Sequence, residues 1–125
     1  MTDTPLRGQR ILIAEDNALI AIAFHDILKR AGAEVVGPVG SVQEAEDLAR
    51  TEGLTGALLD IRLHAEEIWS AASILASRGV PFMFCTGHFD QNTLPANWSS
   101  HPILVKPARP ANIVDQLVKL VGAGV

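Results

Sequence analysis

The chain has no tyrosine, a single cysteine and no run of basic residues anywhere in its 125 positions. One thiol, Cys85, cannot close an internal disulfide, so a cystine-stapled scaffold is excluded and a reducing compartment fits. With a formal net charge of -4 and no lysine or arginine cluster, the surface offers nothing that would track a phosphate backbone. No direct nucleic-acid contact is expected. Nor is there an apolar stretch approaching the roughly 20 residues that span a bilayer, or an apolar core in the first ten residues that would mark a signal peptide. These absences predict a cytoplasmic protein without a membrane contact.

What is present is a core. Apolar residues make up 48% and charged residues 19%, the balance of a compact globular chain. Without repeats or linkers, a single domain over 1–125 is expected, with 1–7 as a loose N-terminal tail. Five short apolar runs read as buried strands: Arg10 to Ala14, Glu34 to Gly37, Gly56 to Leu59, Pro81 to Cys85 and Pro102 to Val105. Between the first two, Ile20, Ala23, Phe24, Ile27, Leu28 and Ala31 recur at helical spacing and Gly32 closes the pattern. Ser41 followed by Glu44 matches a capping box, ahead of Ala45, Leu48 and Ala49. Ile68, Ala72, Leu75 and Ala76 mark a third helix, and Ile113, Leu117, Leu120 and Val121 a last one opened by Pro110. From His88 to His101 no clean stripe exists, so a fourth helix in that stretch is expected to be weak or mobile. Alternation of strand and helix predicts an α/β fold: a doubly wound, five-stranded parallel sheet.

In such sheets ligands bind beyond the carboxyl ends of the strands, where the strand order reverses. Glu15 and Asp16 follow the first strand, Asp60 the third, Thr86 the fourth and Lys106 the fifth, while the second ends at Gly37-Pro38. Each has an ordinary reading alone: Asp16 as a helix cap, Glu15 as a solvated acid, Asp60, Thr86 and Lys106 as residues of strand exits. In the order 2-1-3-4-5, however, the first and third strands are neighbours, and three acids, one hydroxyl and one lysine converge on one edge. Clustered carboxylates repel, so the arrangement calls for a hard divalent ion, and Mg²⁺ fits a site of a few carboxylates plus water. A cation beside a carboxylate and a lysine suits phosphoryl chemistry, with Asp60 as nucleophile.

The segments Ile-Leu-Ile-Ala-Glu15-Asp16-Asn17, Leu-Leu-Asp60, Thr86-Gly87 and Lys106-Pro107, in this order and at these spacings, resemble the response-regulator receiver domains of two-component signalling. The resemblance spans essentially the whole chain. It implies a flavodoxin-like fold in which Asp60 accepts a phosphoryl group from a phosphohistidine donor. By the same resemblance Asp16 and Asp60 bind Mg²⁺ directly, Glu15 acts mostly through water, and the carbonyl of Arg62 completes the protein ligands. Thr86 and Lys106 contact phosphoryl oxygens, and the Lys106-Pro107 peptide is cis. Pro81 to Gly87 is similar to a subfamily with a Phe-Ala-Thr-Gly-Tyr signature, whose fourth helix is short or mobile. The implied role is that of a signalling phosphoacceptor rather than an enzyme. Its partners are a histidine kinase or histidine phosphotransfer protein, and output passes through protein contacts or through draining of phosphate from a relay.

Some positions depart from the family pattern. Ile103 stands where an aromatic switch residue is usual, Ala108 where phenylalanine is common, and Cys85 and His88 replace the subfamily's alanine and tyrosine. Arg62 and His88 occupy positions that in the family tune hydrolysis of the acyl phosphate, and are expected to set its lifetime here. The four histidines show no paired-ligand spacing and none pairs with Cys85, so no transition-metal site is expected. Trp69 and Trp98 read as partial core. An Asp-x-Asp phosphatase, a flavin carrier and a dinucleotide fold are excluded by Glu15-Asp16-Asn17 after the first strand. The remaining alternative is a pseudo-receiver that binds proteins without being phosphorylated.

Overall fold

The computed structural model describes residues 4–87 and 94–122. In chain order the elements are β1 (Arg10–Ala14), α1 (Ala18–Arg30), β2 (Glu34–Val39), α2 (Val42–Thr51) and β3 (Gly56–Asp60). A short hairpin of β4 (Arg62–Leu63) and β5 (Glu66–Glu67) follows, then α3 (Trp69–Ser77), β6 (Phe82–Thr86), β7 (Ile103–Val105) and α4 (Pro110–Gly122). The main sheet is parallel throughout, in the order β2-β1-β3-β6-β7. This is the predicted 2-1-3-4-5 arrangement once the hairpin strands are set aside.

Period-two alternation within each strand sorts the core into two layers. Leu12, Ala14, Leu59, Phe82 and Phe84 face α2 and α3, whose Ala45, Ala49, Ala72 and Leu75 are fully buried. The intervening Ile11, Ile13, Leu58, Met83 and Cys85 face α1 and α4 through Phe24, Leu28, Ile113 and Leu117. Both faces are therefore covered, as strands that are apolar on both sides require.

Local chemistry sets the helix ends. The Asn17 side chain accepts from the N–H groups of Leu19 and Ile20 at 3.0 and 3.1 Å, capping α1. At α2 the predicted capping box forms: Ser41 Oγ accepts from the Glu44 N–H at 3.2 Å and donates to the Glu44 carboxylate at 2.8 Å. Gly32 takes φ +99° just past α1, where a Cβ would stand 3.1 Å from the Arg7 nitrogen. Pro110 opens α4 as predicted. Trp98 is buried edge-on against Phe82, and Trp69 meets Phe84 the same way, both as partial core.

Two readings change. The second strand does not end at Gly37 but runs to Val39, because Gly37 at φ +94° absorbs an irregularity between Leu12↔Val36 and Ala14↔Val39. A Cβ there would lie 2.9 Å from the Ile13 carbonyl oxygen, so only glycine lets the strand continue. The N-terminal segment is not loose as far as residue 7, because Leu6 is fully buried beside Ile11 and Leu28 and its N–H donates to the Ala31 carbonyl at 2.8 Å. The loop after Asp60 is the β4–β5 hairpin. Between β6 and β7 the described residues hold only a 3₁₀ turn at Ala96–Trp98 and no α-helix. None of the described helices is long and apolar enough to cross a membrane.

Leu6→Ala removes a fully buried side chain at the foot of the α1 layer, and we expect a loss of about 2–4 kcal/mol. Urea unfolding followed by tryptophan fluorescence measures it; a change below about 0.5 kcal/mol contradicts the packing assigned to Leu6.

Candidate functional site

The parallel register brings the strand ends level. Ala14 pairs with Leu59, Asp60 with Cys85, and Thr86 with Val105, so the residues that end or follow β1, β3, β6 and β7 share one edge. Backbone bonds fix them there: the Glu15 N–H donates to Val39 at 2.9 Å and the Lys106 N–H to Thr86 at 2.7 Å. The Lys106-Pro107 peptide is cis, as the resemblance implied; so is Gly37-Pro38, which sequence reasoning did not anticipate.

Among the described residues, only Glu15, Asp60 and Thr86 are polar side chains in the buried class, at 3%, 8% and 8% exposure. All three were singled out from the sequence, and all three lie at this edge. Carboxylate oxygens of Glu15, Asp16 and Asp60 lie within 4.8 Å of one another. The Lys106 ammonium joins them, donating to Glu15 Oε1 at 2.6 Å and Asp60 Oδ2 at 3.1 Å. Glu15 Oε2 also accepts from the Asn17 N–H at 3.0 Å, and Asp60 Oδ1 faces the Arg62 N–H at 3.4 Å.

Asp16 is not the cap of α1, since Asn17 fills that role. Its Oδ2 instead accepts from the His64 N–H, at the hairpin turn, at 2.7 Å. Sequence reasoning missed both Asn17 and His64. Asparagine one position before the helix was a legible cap signal, whereas nothing in the spacing of His64 joined it to the acids.

The environments separate the groups electrically. Burial pushes the Glu15 carboxyl above its ordinary value, against the opposing pull of Lys106 and the Asn17 N–H. The His64 N–H holds the Asp16 carboxyl below its ordinary value. For Lys106, burial would favour the neutral amine, but the bonds to Glu15 and Asp60 outweigh it and hold the ammonium above its usual value. The Cys85 thiol, in the α1–α4 layer and fully buried, is pushed up to about 12 by burial. Arg62 is exposed and pairs with Glu67 at 3.8 Å, while His88 lies outside the described residues. Ile103 packs beside Phe84 in the α2–α3 layer, and Ala108 against the α1–α4 layer.

A doubly wound parallel sheet with an acidic pocket at its switch point defines the class of protein. Comparison with known proteins narrows it. No family model matches the chain. SdrG of Sphingomonas melonis Fr1 is 32% identical, with a TM-score of 0.79 over 90% of this chain and 96% of that one. A response regulator receiver protein of Sinorhizobium medicae WSM419 is 25% identical, with a TM-score of 0.78 over 94% of this chain and 98% of its own. The transcriptional regulatory protein PdtaR of Mycobacterium tuberculosis is 32% identical over 111 residues, 89% of this chain and 49% of that protein. The chain thus spans about half the length of the curated relatives it matches. It belongs to the response-regulator receiver domains, the family that the sequence motifs resemble.

Lys106→Met leaves Glu15 and Asp60 buried without their cation, and we expect a loss of about 3 kcal/mol at neutral pH. Because the Glu15 carboxyl is already raised, protonating it removes the penalty, so the deficit shrinks as pH falls toward the carboxylate range. Urea titrations of both proteins across that range, without divalent ions, check size and sign together; a pH-independent difference contradicts the charge argument.

Proposed function

We propose that the chain is a phosphoacceptor that takes a phosphoryl group onto Asp60 from a phosphohistidine donor in a Mg²⁺-dependent reaction. The observation that carries this reading is the pocket itself: three carboxylates within 4.8 Å, two of them bridged by one ammonium. With all three acids ionised, Lys106 leaves two negative charges uncompensated, which one divalent cation balances. The donor set, all oxygen and open to water on the side of the partly buried Asp16, suits a small hard ion. Asp16 and Asp60 would hold Mg²⁺ directly, with the Arg62 carbonyl as a further ligand and Glu15 acting through water. When bound, the cation supplies neutralisation of the transferring phosphoryl oxygens.

The chain's own residues supply the rest. An Asp60 carboxylate oxygen forms the new bond to phosphorus as the phosphorus–nitrogen bond of the donor breaks, leaving the imidazole and an acyl phosphate. The Lys106 ammonium donates to both Asp60 and Glu15, so it can pass from Asp60 to a phosphoryl oxygen while keeping Glu15. The Thr86 hydroxyl, at the end of the neighbouring strand, would donate to another oxygen. This is positioning and charge stabilisation, the main contributions in phosphoryl transfer.

A histidine kinase or histidine phosphotransfer protein is the donor this chemistry requires, and a cytoplasmic setting follows from it. Beside the pocket, Leu19 and Ile22 on α1 are 80% and 58% exposed, and Leu19 borders an apolar groove that reaches Lys106 and Pro107. That groove is where a donor would approach Asp60. Output would run through contacts with a downstream protein or through draining of phosphate from a relay, with Arg62 and His88 setting the lifetime of the acyl phosphate.

Incubation with a radiolabelled phosphohistidine donor tests the reading. Label should enter the wild-type chain only with Mg²⁺, be released by hydroxylamine, and be absent from Asp60→Asn; Lys106→Ala should slow its entry by about 10²–10³. A chain that takes no label from any donor and shows no Mg²⁺-dependent change with a phosphate analogue is a protein-binding pseudo-receiver instead.

A further inference from the structure

Each of the three acids at the edge meets a backbone N–H, and the donors come from two places. Glu15 Oε2 accepts from Asn17, within the same β1–α1 turn, at 3.0 Å. The other two donors belong to the β4–β5 hairpin: the Arg62 N–H faces Asp60 Oδ1 at 3.4 Å, and the His64 N–H donates to Asp16 Oδ2 at 2.7 Å. One short hairpin thus reaches both aspartates by main chain alone. It is itself well anchored. Arg62 pairs with Glu67 and Leu63 with Glu66 across it, Leu63 and Ile68 are buried in the α2–α3 layer, and the Ile68 N–H donates to the Ile61 carbonyl at 2.9 Å.

The acids differ in what else holds them. The Lys106 ammonium reaches Glu15 and Asp60 rather than Asp16, and Asp60 ends a strand that is buried along its whole length. Asp16 belongs to no strand, and its side chain is 25% exposed. Beside two other carboxylates, a side chain so placed is pushed outward by like charge. The bond from His64 opposes that push, since with the bond made an Asp16 oxygen lies within 4.8 Å of oxygens of Glu15 and Asp60.

We propose that the His64 backbone N–H is a positioning group of the cation site, holding the Asp16 carboxylate in place for a divalent ion and so coupling ion binding to closure of the β4–β5 hairpin. This rests on the reading of Glu15, Asp16 and Asp60 as that site. An ionised carboxylate offers about four lone-pair positions, so one N–H bond leaves room for the ion. A carboxylate oriented beforehand need not be immobilised when the ion arrives, and outer contacts of this kind are worth about 10–100-fold in metal affinity. Linkage is reciprocal: whatever factor the closed hairpin adds to ion affinity, the bound ion returns to the hairpin as resistance to opening. The role belongs to the main chain, which is why the identity of residue 64 gave no sign of it in the sequence.

Two measurements on the whole chain test this. In the first, cell-free translation places at position 64 the α-hydroxy analogue of histidine, which turns the N–H into an ester oxygen and keeps the imidazole. Calorimetry then compares its Mg²⁺ affinity with that of the same chain carrying histidine. In the second, hydrogen exchange of the His64 amide in the wild-type chain is followed by NMR as Mg²⁺ is added. We expect the ester chain to bind Mg²⁺ about tenfold or more weakly, and bound Mg²⁺ to slow His64 exchange by about the same factor. Unaltered affinity in the ester chain, or His64 exchange that is unchanged or faster with Mg²⁺ bound, overturns the positioning role while leaving the acidic site intact. The exchange measurement needs no altered chain, so it decides the matter even where the ester chain fails to fold. A wild-type chain that does not bind Mg²⁺, or binding undiminished by Asp16→Asn, overturns the cation site itself and this proposal with it.

Discussion

The Lys106 ammonium is the interaction on which the rest of the edge depends. It lies at the exit of β7, yet touches acids from the exits of β1 and β3, so it closes the pocket across three elements that are far apart in sequence. Two carboxylates this deeply buried repel, and burial alone favours their neutral forms. One cation between them offsets that repulsion and holds them near each other, without satisfying the full negative charge of the site. With all three acids ionised, Lys106 leaves the pocket with a net negative charge.

That arrangement is only as accurate as the sheet beneath it. Strand β3 is buried along its whole length, paired on both sides in parallel register, and Asp60 is its last residue. Asp60 is therefore fixed by a rigid element rather than by a loop. Asp16 lacks a strand of its own and is held instead by the α1 cap beside it and by the hairpin turn opposite. At the other end of the sheet, Arg10 ties Glu34, Glu52 and the Gly53 carbonyl together, a structural counterpart that leaves the chemistry to the carboxyl edge.

Strand and helix order was legible from the sequence because each strand is an unbroken apolar run and each main helix keeps a clean stripe. So was the pocket, because receiver-like motifs fall at strand exits and the fold alone puts those exits together. Less legible were features that need a neighbour to exist. Leu6 reads as tail until its partners on α1 and β1 are in place, and Gly37-Pro38 reads as a strand end until Ile13 crowds it. The β4–β5 hairpin has no glycine or proline to announce its turn, since His64 itself takes the left-handed conformation. Asp16 was weighed as a cap because aspartate is a good one; Asn17, one residue on, was in the better place.

Cys85 sits beside Asp60 in the sheet, and its side chain enters the α1–α4 layer, fully buried, where burial favours the thiol. Peroxide and disulfide exchange act on exposed thiolate, and this sulfur is neither exposed nor ionised. The chain's only thiol is thus insulated from solvent oxidants although it borders the strand that carries Asp60.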